Sequence, residues 1–487
     1  MAKIYYNKSA IRASLLITCL FCLPFISYSQ TKTATNAGSK SIAPPLVVPD
    51  TTKNSLLLPV VIKDTGKVQY FTLKQCIDYA LQHQPGLNIA LINVDVAKTT
   101  NAISLSGWLP QVNASGDLIH NIQTNGSTTT TNNGSGSTTT TTNKTGYTNS
   151  FVPGVAVTQT IFNPSLLYAY KSAPLYVKQA QQVTDSTKIF LVSSVSKSFY
   201  TLLNTLEQIN VFKEDTARLG KSLRDAYHQY KGGIVDETDY EQADITLNNS
   251  KAQLKQANEN VVPQYATLKK LLGYPVDKQF NVVFDTLEMM NSIHIDTTEQ
   301  LQYEKRIEFQ SLKTSKDLQS QLVNYYKFAW LPTLSAFFNY DLTFANNNYN
   351  NLLSSSYPNS YVGLSFSLPI FTGFSRVNNV KKARLQQQIL DWDETDLKSA
   401  INVEYTSALA NYKGNYYNLQ LLQRNVNLAR RVYFVVDLQY KQGIVAYLNV
   451  ITAESNLMTS EISYLNALFQ VLSNKIDLQK AMGNISY

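Results

Sequence analysis

Cysteine is nearly missing from this chain. Of 487 residues only three are cysteine. Two of them, Cys19 and Cys22, fall in an N-terminal stretch ordered as a secretory signal. Lys3, Lys8 and Arg12 come first, then an apolar run from about Ser14 to Ile26, then Ser27-Tyr28-Ser29. With cleavage after Ser29 the exported chain keeps Cys76 alone, so no disulfide contributes to its stability. The small residues that a lipoprotein signal requires before its cysteine are absent from both positions, which argues against lipidation.

Long hydrophobic runs are missing as well. No later segment has about 18 consecutive apolar residues, which excludes transmembrane helices. Charge of one sign is weak: the formal net charge is +8, and three basic residues leave with the signal. Without a Lys/Arg stripe there is no case for a nucleic-acid partner. Histidine is sparse, and His83, His120, His228 and His294 have no companions at ligand or triad spacing. No Gly-rich phosphate loop follows a strand and no nucleophile elbow is found. The sequence therefore offers no catalytic residue, no metal site and no cofactor, and an exported enzyme is the weakest reading.

What the chain has is repetition. Trp108-Leu109-Pro110-Gln111-Val112 returns as Trp330-Leu331-Pro332-Thr333-Leu334. Tyr230-Lys231-Gly232-Gly233-Ile234-Val235 returns as Tyr440-Lys441-Gln442-Gly443-Ile444-Val445, and Leu272-Gly273-Tyr274 is echoed by Met482-Gly483-Asn484. A unit of roughly 210 residues is too long for a solenoid repeat, so each half is a structural module in an internal duplication. The first module spans 69–273 and the second 298–487. Residues 1–29 are the signal, 30–68 a polar flexible leader, and 274–297 a linker.

Within a module the periodicity changes abruptly. Thr72 is a candidate N-cap for a helix that Pro85-Gly86 interrupts. After Trp-Leu-Pro the pattern alternates with period two. Val112, Ala114, Leu118 and Ile122 oppose Gln111, Asn113, Ser115, Asp117 and Asn121, and a second run puts Phe151, Val155, Val157 and Ile161 on one face. The second module repeats this with Leu334, Ala336, Phe338, Tyr340, Leu342 and Phe344, then Val362, Leu364, Phe366, Leu368 and Ile370. The spacing predicts strands over about 110–123, 150–162, 332–345 and 360–371, long enough for tilted membrane strands. A half-buried strand of a soluble sandwich gives the same alternation; the signal, the strand length and the aromatic faces favour the membrane. The Thr/Asn/Gly tract near 124–149 reads as a loop too polar and flexible to pack.

Helical spacing then persists from about Pro164 to Lys231 and from about Ser375 to Lys441, enough for rods on the order of 100 Å. Each turns at a glycine, at tips over about 231–236 and 441–446, and runs back for about 37 residues. In the last leg Leu448, Ile451, Ser455, Met458, Ile462, Leu465, Leu468, Leu472 and Ile476 suggest a coiled-coil seam.

Four strands cannot close a barrel, and an open sheet in lipid leaves backbone groups unpaired. Two copies give eight strands and three give twelve. Small polar residues on the inward faces favour a lumen and hence three.

The helix opening Phe71-Thr72-Leu73-Lys74-Gln75-Cys76-Ile77-Asp78-Tyr79-Ala80-Leu81, the Trp-Leu-Pro strand starts, Leu368-Pro369-Ile370-Phe371-Thr372-Gly373 and the two Gly-Ile-Val turns together resemble the TolC family of outer-membrane efflux proteins. The resemblance implies a mixed α+β membrane protein. Three chains would form a 12-stranded outer-membrane β-barrel continuous with a long periplasmic α-helical barrel. It implies a passive exit duct for a tripartite efflux pump or type I secretion system. The expected partners are a homotrimer, outer-membrane lipid, a periplasmic adaptor (membrane fusion protein) and an inner-membrane RND or ABC transporter. Helices over about 72–107 with 236–272, and 298–328 with 446–482, would complete the walls beside the long rods, with 274–297 as an equatorial segment. The tips Gly233, Ile234, Val235, Gly443, Ile444 and Val445 would meet the adaptor. Tyr440 and Asp239 fall on positions that link the family's closed entrance, but Val445 stands where that link has an arginine. Asn449 and Thr452 stand where the family has acidic rings. Closure would then rest on Tyr440–Asp239 hydrogen bonding and apolar packing. The competing reading is an elongated coiled-coil surface protein without channel activity.

Overall fold

The computed structural model describes residues 69–124, 126–133, 137–144, 146–284, 289, 293–296 and 299–487. The expected signal and leader, residues 1–68, lie outside them, as does part of the 274–297 linker.

Strand β1 (Gln69–Phe71) leads into helix α1 (Leu73–His83). Thr72 caps α1 reciprocally: the Gln75 N–H donates to Thr72 Oγ1 at 3.3 Å, and the Thr72 N–H donates to Gln75 Oε1 at 2.9 Å. The interruption at Pro85 is real. Pro85 has no N–H to donate and opens α2 (Pro85–Leu105), whose first turn is capped by Gln84. A 3₁₀ turn at Ser106–Trp108 then converts helix to extended chain.

The extended segments are β2 (Gln111–His120), β3 (Gly126–Asn133), β4 (Ser137–Lys144), β5 (Asn149–Phe162), β6 (Phe280–Val282), β7 (Thr333–Asn346) and β8 (Ser356–Ser367). One four-stranded sheet has the order β2-β5-β7-β8, with every pair antiparallel. The register sorts the side chains by face. Val112, Val157, Phe338 and Val362 form one cross-strand row, and Asn113, Ala156, Asn339 and Tyr361 form the adjacent row on the opposite face. Pro153, which has no N–H, sits where the β5–β7 ladder skips from Phe151↔Phe344 to Gly154↔Asp341.

Two expectations need correction. The fourth strand lies at 356–367 rather than 360–371, because Pro369 cannot donate to the ladder; Leu368 and Ile370 fall beyond it. The Thr/Asn/Gly tract is not an unstructured loop. β3 and β4 pair from Gly126↔Lys144 to Asn133↔Ser137 as a separate hairpin. Threonine is β-branched and favours extended backbone, so low hydrophobicity alone misled the reading.

The helices that follow match the expected limits closely. α3 (Pro164–Lys231) has 68 residues and α4 (Glu237–Leu272) has 36. In the second half α6 (Ser375–Lys441) has 67 residues and α7 (Tyr447–Met482) has 36. The helix preceding β7, α5 (Ile307–Phe328), starts later than the expected 298, after a 3₁₀ turn at Tyr303–Lys305. α3 packs along α4, and α6 along α7; α3 also touches α2, α5 and α7, which joins the halves.

Around the middle of the long helices lies a further, parallel sheet that the residue pattern did not announce. β1 and β6 pair there, Gln69↔Phe280 to Phe71↔Val282. The largest cluster of buried side chains surrounds them, including Cys76, Phe199, Leu202, Leu268, Phe280 and Leu472. Burial pushes the Cys76 thiol up to about 12, so it acts as a small apolar side chain.

Gly273 ends α4 at φ +69°, and a Cβ there would lie 2.5 Å from the His83 carbonyl oxygen. Gly443 has nearly the same φ, +71°, with nothing within 4 Å. Gly443→Ala should therefore cost only the left-handed penalty of about 1–2 kcal/mol. Gly273→Ala should cost at least twice as much, because backbone must move as well. Thermal unfolding of both variants checks this; equal losses would mean the close approach to α1 carries no weight.

Candidate functional site

Both helical hairpins reverse through the same hydrogen-bond pattern. At the first tip the Ile234 N–H donates to the Gln229 carbonyl at 2.9 Å and the Gly233 N–H to Tyr230 at 3.0 Å. At the second, Ile444 donates to Gln439 at 2.9 Å and Gly443 to Tyr440 at 2.8 Å. This is the Schellman arrangement, which requires the left-handed residue that glycine supplies. The turn then presents Ile234 and Ile444 outward, 76% and 69% exposed, while Val235 and Val445 are half-buried. Apolar side chains held outward by a fixed turn are a surface awaiting cover.

Just behind the tips the two hairpins touch. Tyr440 is half-buried, and its hydroxyl donates to Gln229 Oε1 at 2.6 Å. Within the chain its hydrogen-bond partner is thus Gln229 and not the expected Asp239. Burial, then the charges of Asp239 and Asp225, push the Tyr440 phenol up. A cavity of about 250 Å³ lies beside it, lined by Ser222, Asp225, His228, Gln229, Asp437 and Val450 among others. Lys441 pairs with Asp437 at its mouth. The first tip has an aromatic stack that the sequence reading missed. Tyr230 lies parallel to Tyr240 at 6.2 Å, and Lys231 sits 5.3 Å above the Tyr230 ring. Tyr227 and Tyr230, three apart on one helix, were the available signal. Asn449 and Thr452 are exposed, and the Thr452 hydroxyl turns back to the Leu448 carbonyl at 2.8 Å.

The seam of α7 departs from the expected one in its tip-side half, while Leu468 and Leu472 are buried as expected. Leu448 and Ser455 are exposed, whereas Tyr447, Val450, Glu454, Leu457, Glu461, Leu468 and Val471 are buried. With Tyr464 between Glu461 and Leu468 their steps alternate three and four, a heptad seam shifted by one residue. Two of its positions are glutamates, so a search for apolar periodicity passes it over. Glu454 meets α3: Arg218 Nε donates to its Oε1 at 3.3 Å, and Arg218 also bonds Asp215 at 3.3 Å. One seam turn further along, Arg430 donates to Glu461 Oε1 at 2.8 Å.

The histidines stay apart. His83 bonds the Tyr79 carbonyl, His120 bonds Asn149, His228 lines the tip cavity and His294 packs on Tyr416. No group of three or more His, Cys, Asp or Glu among the described residues is arranged to hold a metal ion.

A sheet with one apolar and one more polar face is thus joined to long paired helices with exposed apolar turns. Comparison with known proteins decides the family. The family model described as "Outer membrane efflux protein" matches residues 76–274 and 304–484. The chain belongs to the outer membrane efflux protein family. It is accordingly an outer-membrane protein that extends into the periplasm. Outer membrane protein TolC of Vibrio cholerae is 19% identical over 338 residues, covering 68% of this chain and 76% of the relative. The probable efflux pump outer membrane protein TtgC of Pseudomonas putida is 21% identical over 434 residues, covering 87% and 86%. Among solved structures, CusC superposes with a TM-score of 0.69 at 17% identity, covering 89% of this chain and 98% of that one. The Campylobacter jejuni CmeC outer membrane channel gives 0.66 at 20%, covering 91% and 94%. CusC and CmeC are described as channels, and the fold shared with them covers about nine-tenths of this efflux protein.

Tyr440→Phe should leave Gln229 Oε1 without its donor, at a cost of about 1 kcal/mol. Amide exchange in the tip segments 229–240 and 438–447 should then speed up roughly five-fold. Unaltered exchange would show that the bond does not hold the hairpins together.

Proposed function

We propose that three copies of this chain form an exit duct, a 12-stranded barrel in the outer membrane continued by a periplasmic helical barrel. Cargo passes through it passively, delivered by an inner-membrane RND or ABC transporter and a periplasmic adaptor, for efflux or type I secretion. The observation that carries this reading is the sheet. Its outer strands β2 and β8 have no partner strand among the described residues, and in lipid such edges must be paired. Because β8 runs antiparallel to β2 in the four-strand order, β8 of one copy meets β2 of the next in the same antiparallel sense. Three copies rather than two fit the polar row of Asn113 and Asn339, which needs a water-filled interior. The unpartnered apolar residues of α6, among them Leu385, Ile389, Trp392 and Val403, fit burial against a neighbouring copy.

The matching order of elements in the two halves supports an internal duplication in which each half contributes two strands and two helical walls. Ile234-Val235 and Ile444-Val445 are the proposed adaptor contacts. Asp239, Tyr440, Asn449 and Thr452 stand at the proposed periplasmic entrance. With Val445, Asn449 and Thr452 uncharged, closure would depend on the Tyr440 and Asp239 region and on apolar packing, not on a salt bridge.

Extracted from outer membranes, the protein should run as a heat-modifiable trimer and give single channels in planar bilayers. Asp239→Ala should raise the closed-state conductance by a few-fold. A soluble rod without conductance would sink the duct reading in favour of a surface coiled-coil protein. Photocross-linkers placed at Ile234 and Ile444 should capture a periplasmic protein with a long helical hairpin. Labelling confined to neighbouring copies of this chain would refute the adaptor assignment.

A further inference from the structure

The four helices of the two hairpins converge on one charged cluster some two to three helical turns behind the second tip. Arg218 of α3 lies between Asp215 of its own helix and Glu454 of α7. Asp215 Oδ2 also accepts from Ser250 of α4 at 2.8 Å, and the Tyr433 ring of α6 faces the Arg218 guanidinium at 5.9 Å. Asp215 and Glu454 are each 2% exposed. Two buried carboxylates thus share one guanidinium, which the exposed Glu214 of α3 also approaches at 3.9 Å, and Glu454 Oε2 has no hydrogen-bond partner. The remaining charged or titratable neighbours do not restore the balance. Asp437 on α6 and Glu461 on α7 are acidic, and Tyr447 on α7 and Tyr440 on α6 are neutral phenols.

We propose that Glu454, with Arg218 and Asp215, is a proton-operated clamp between the α3–α4 and α6–α7 hairpins: protonation of Glu454 holds them together, and ionisation loosens them. This rests on the duct reading, to which it adds a control on the entrance. The physical reason is the orphaned oxygen. When Glu454 is ionised, Arg218 serves only Oε1, at 3.3 Å, and shares its charge with Asp215, while the buried Oε2 has no donor; protonation removes that uncompensated charge and leaves the Oε1 bond in place.

The sign follows from linkage. Burial, then the charge of Asp215, raise Glu454 from 4.5 to about 7, against the opposing pull of Arg218. A carboxyl with a raised value in the packed state stabilises that state most at acid pH. The contribution fades as pH climbs through neutrality. Between pH 5 and 8 the packed-to-loosened ratio should fall on the order of 10- to 100-fold.

The test uses the full-length trimer. Bilayer conductance of the unmodified protein should rise several-fold as the pH on the tip side goes from 5 to 8. Glu454→Gln, neutral and of the same size, should stay at the pH 5 level throughout. In parallel, amide exchange of residues 447–461, corrected for the intrinsic pH dependence, should accelerate with pH in the unmodified protein only. A conducting trimer with flat conductance and flat exchange overturns the clamp while sparing the duct. Failure to conduct with pH-dependent exchange does the reverse. A pH response retained in Glu454→Gln assigns the titration elsewhere and also overturns the clamp.

Discussion

An antiparallel sheet in a membrane tolerates no unpaired edge, because each free N–H and C=O costs several kcal/mol where water cannot reach it. The rest of this molecule is arranged around that demand. Among the described residues a single chain supplies four strands and two open edges, which the proposed assembly of copies would close. The apolar row through Val112, Val157, Phe338 and Val362 has no core to enter. In the proposed barrel it would face lipid, and the opposite row with Asn113 and Asn339 would face water. Below the sheet α6 likewise carries apolar side chains that are exposed among the described residues.

Helix α3 bears the burden of joining the halves. It touches α2, α4, α5 and α7, and at its centre Phe199, Leu202 and Leu203 enter the largest buried cluster. That cluster, with the parallel β1–β6 pair and the Cys76 thiol inside it, fixes the two long helices relative to each other midway along their length. Toward the tips the support thins. The second buried cluster has only Ala226, Ala243, Tyr447 and Val450 fully inside, ringed by partly buried Leu223, Tyr433, Val436, Tyr440 and Ile451. Local stability follows buried apolar contact, so the tip end is the one that opens at lower cost.

Much of this was legible in the residues. The start of α3 was readable from Asn163-Pro164 and the ends of α3 and α6 from the glycines that follow them, and Thr72 announced its helix as an N-cap; α6 opens after Phe374 with no side-chain cap. Strand faces were readable because alternation survives wherever one side meets an apolar medium. Three things were not. The β1–β6 pair joins residues about two hundred apart through three-residue strands, too short for any periodicity. The β3–β4 hairpin has no apolar face, so its threonines read as loop. The tip-side half of the α7 seam was displaced by one residue because Glu454 and Glu461 occupy positions where apolar side chains were sought. Of the entrance residues, Tyr440 was found by resemblance, while its partner Gln229 required coordinates.

That displaced seam bears on how the tips work. Leucine at 454 and 461 would extend the apolar seam and stabilise the coil, since replacing buried charge pairs with hydrophobic residues is often neutral or favourable. The chain instead places a glutamate there, sharing one arginine with a second buried carboxylate, and a glutamate one heptad on that meets Arg430. Such an arrangement sacrifices stability in one particular place, between the thick equatorial core and the turns. A gate needs two packings of similar free energy, and an apolar seam continued to the tip would favour one of them strongly. Polar seam positions near the turns therefore suit the proposed duct, rigid at its middle and divisible at its end.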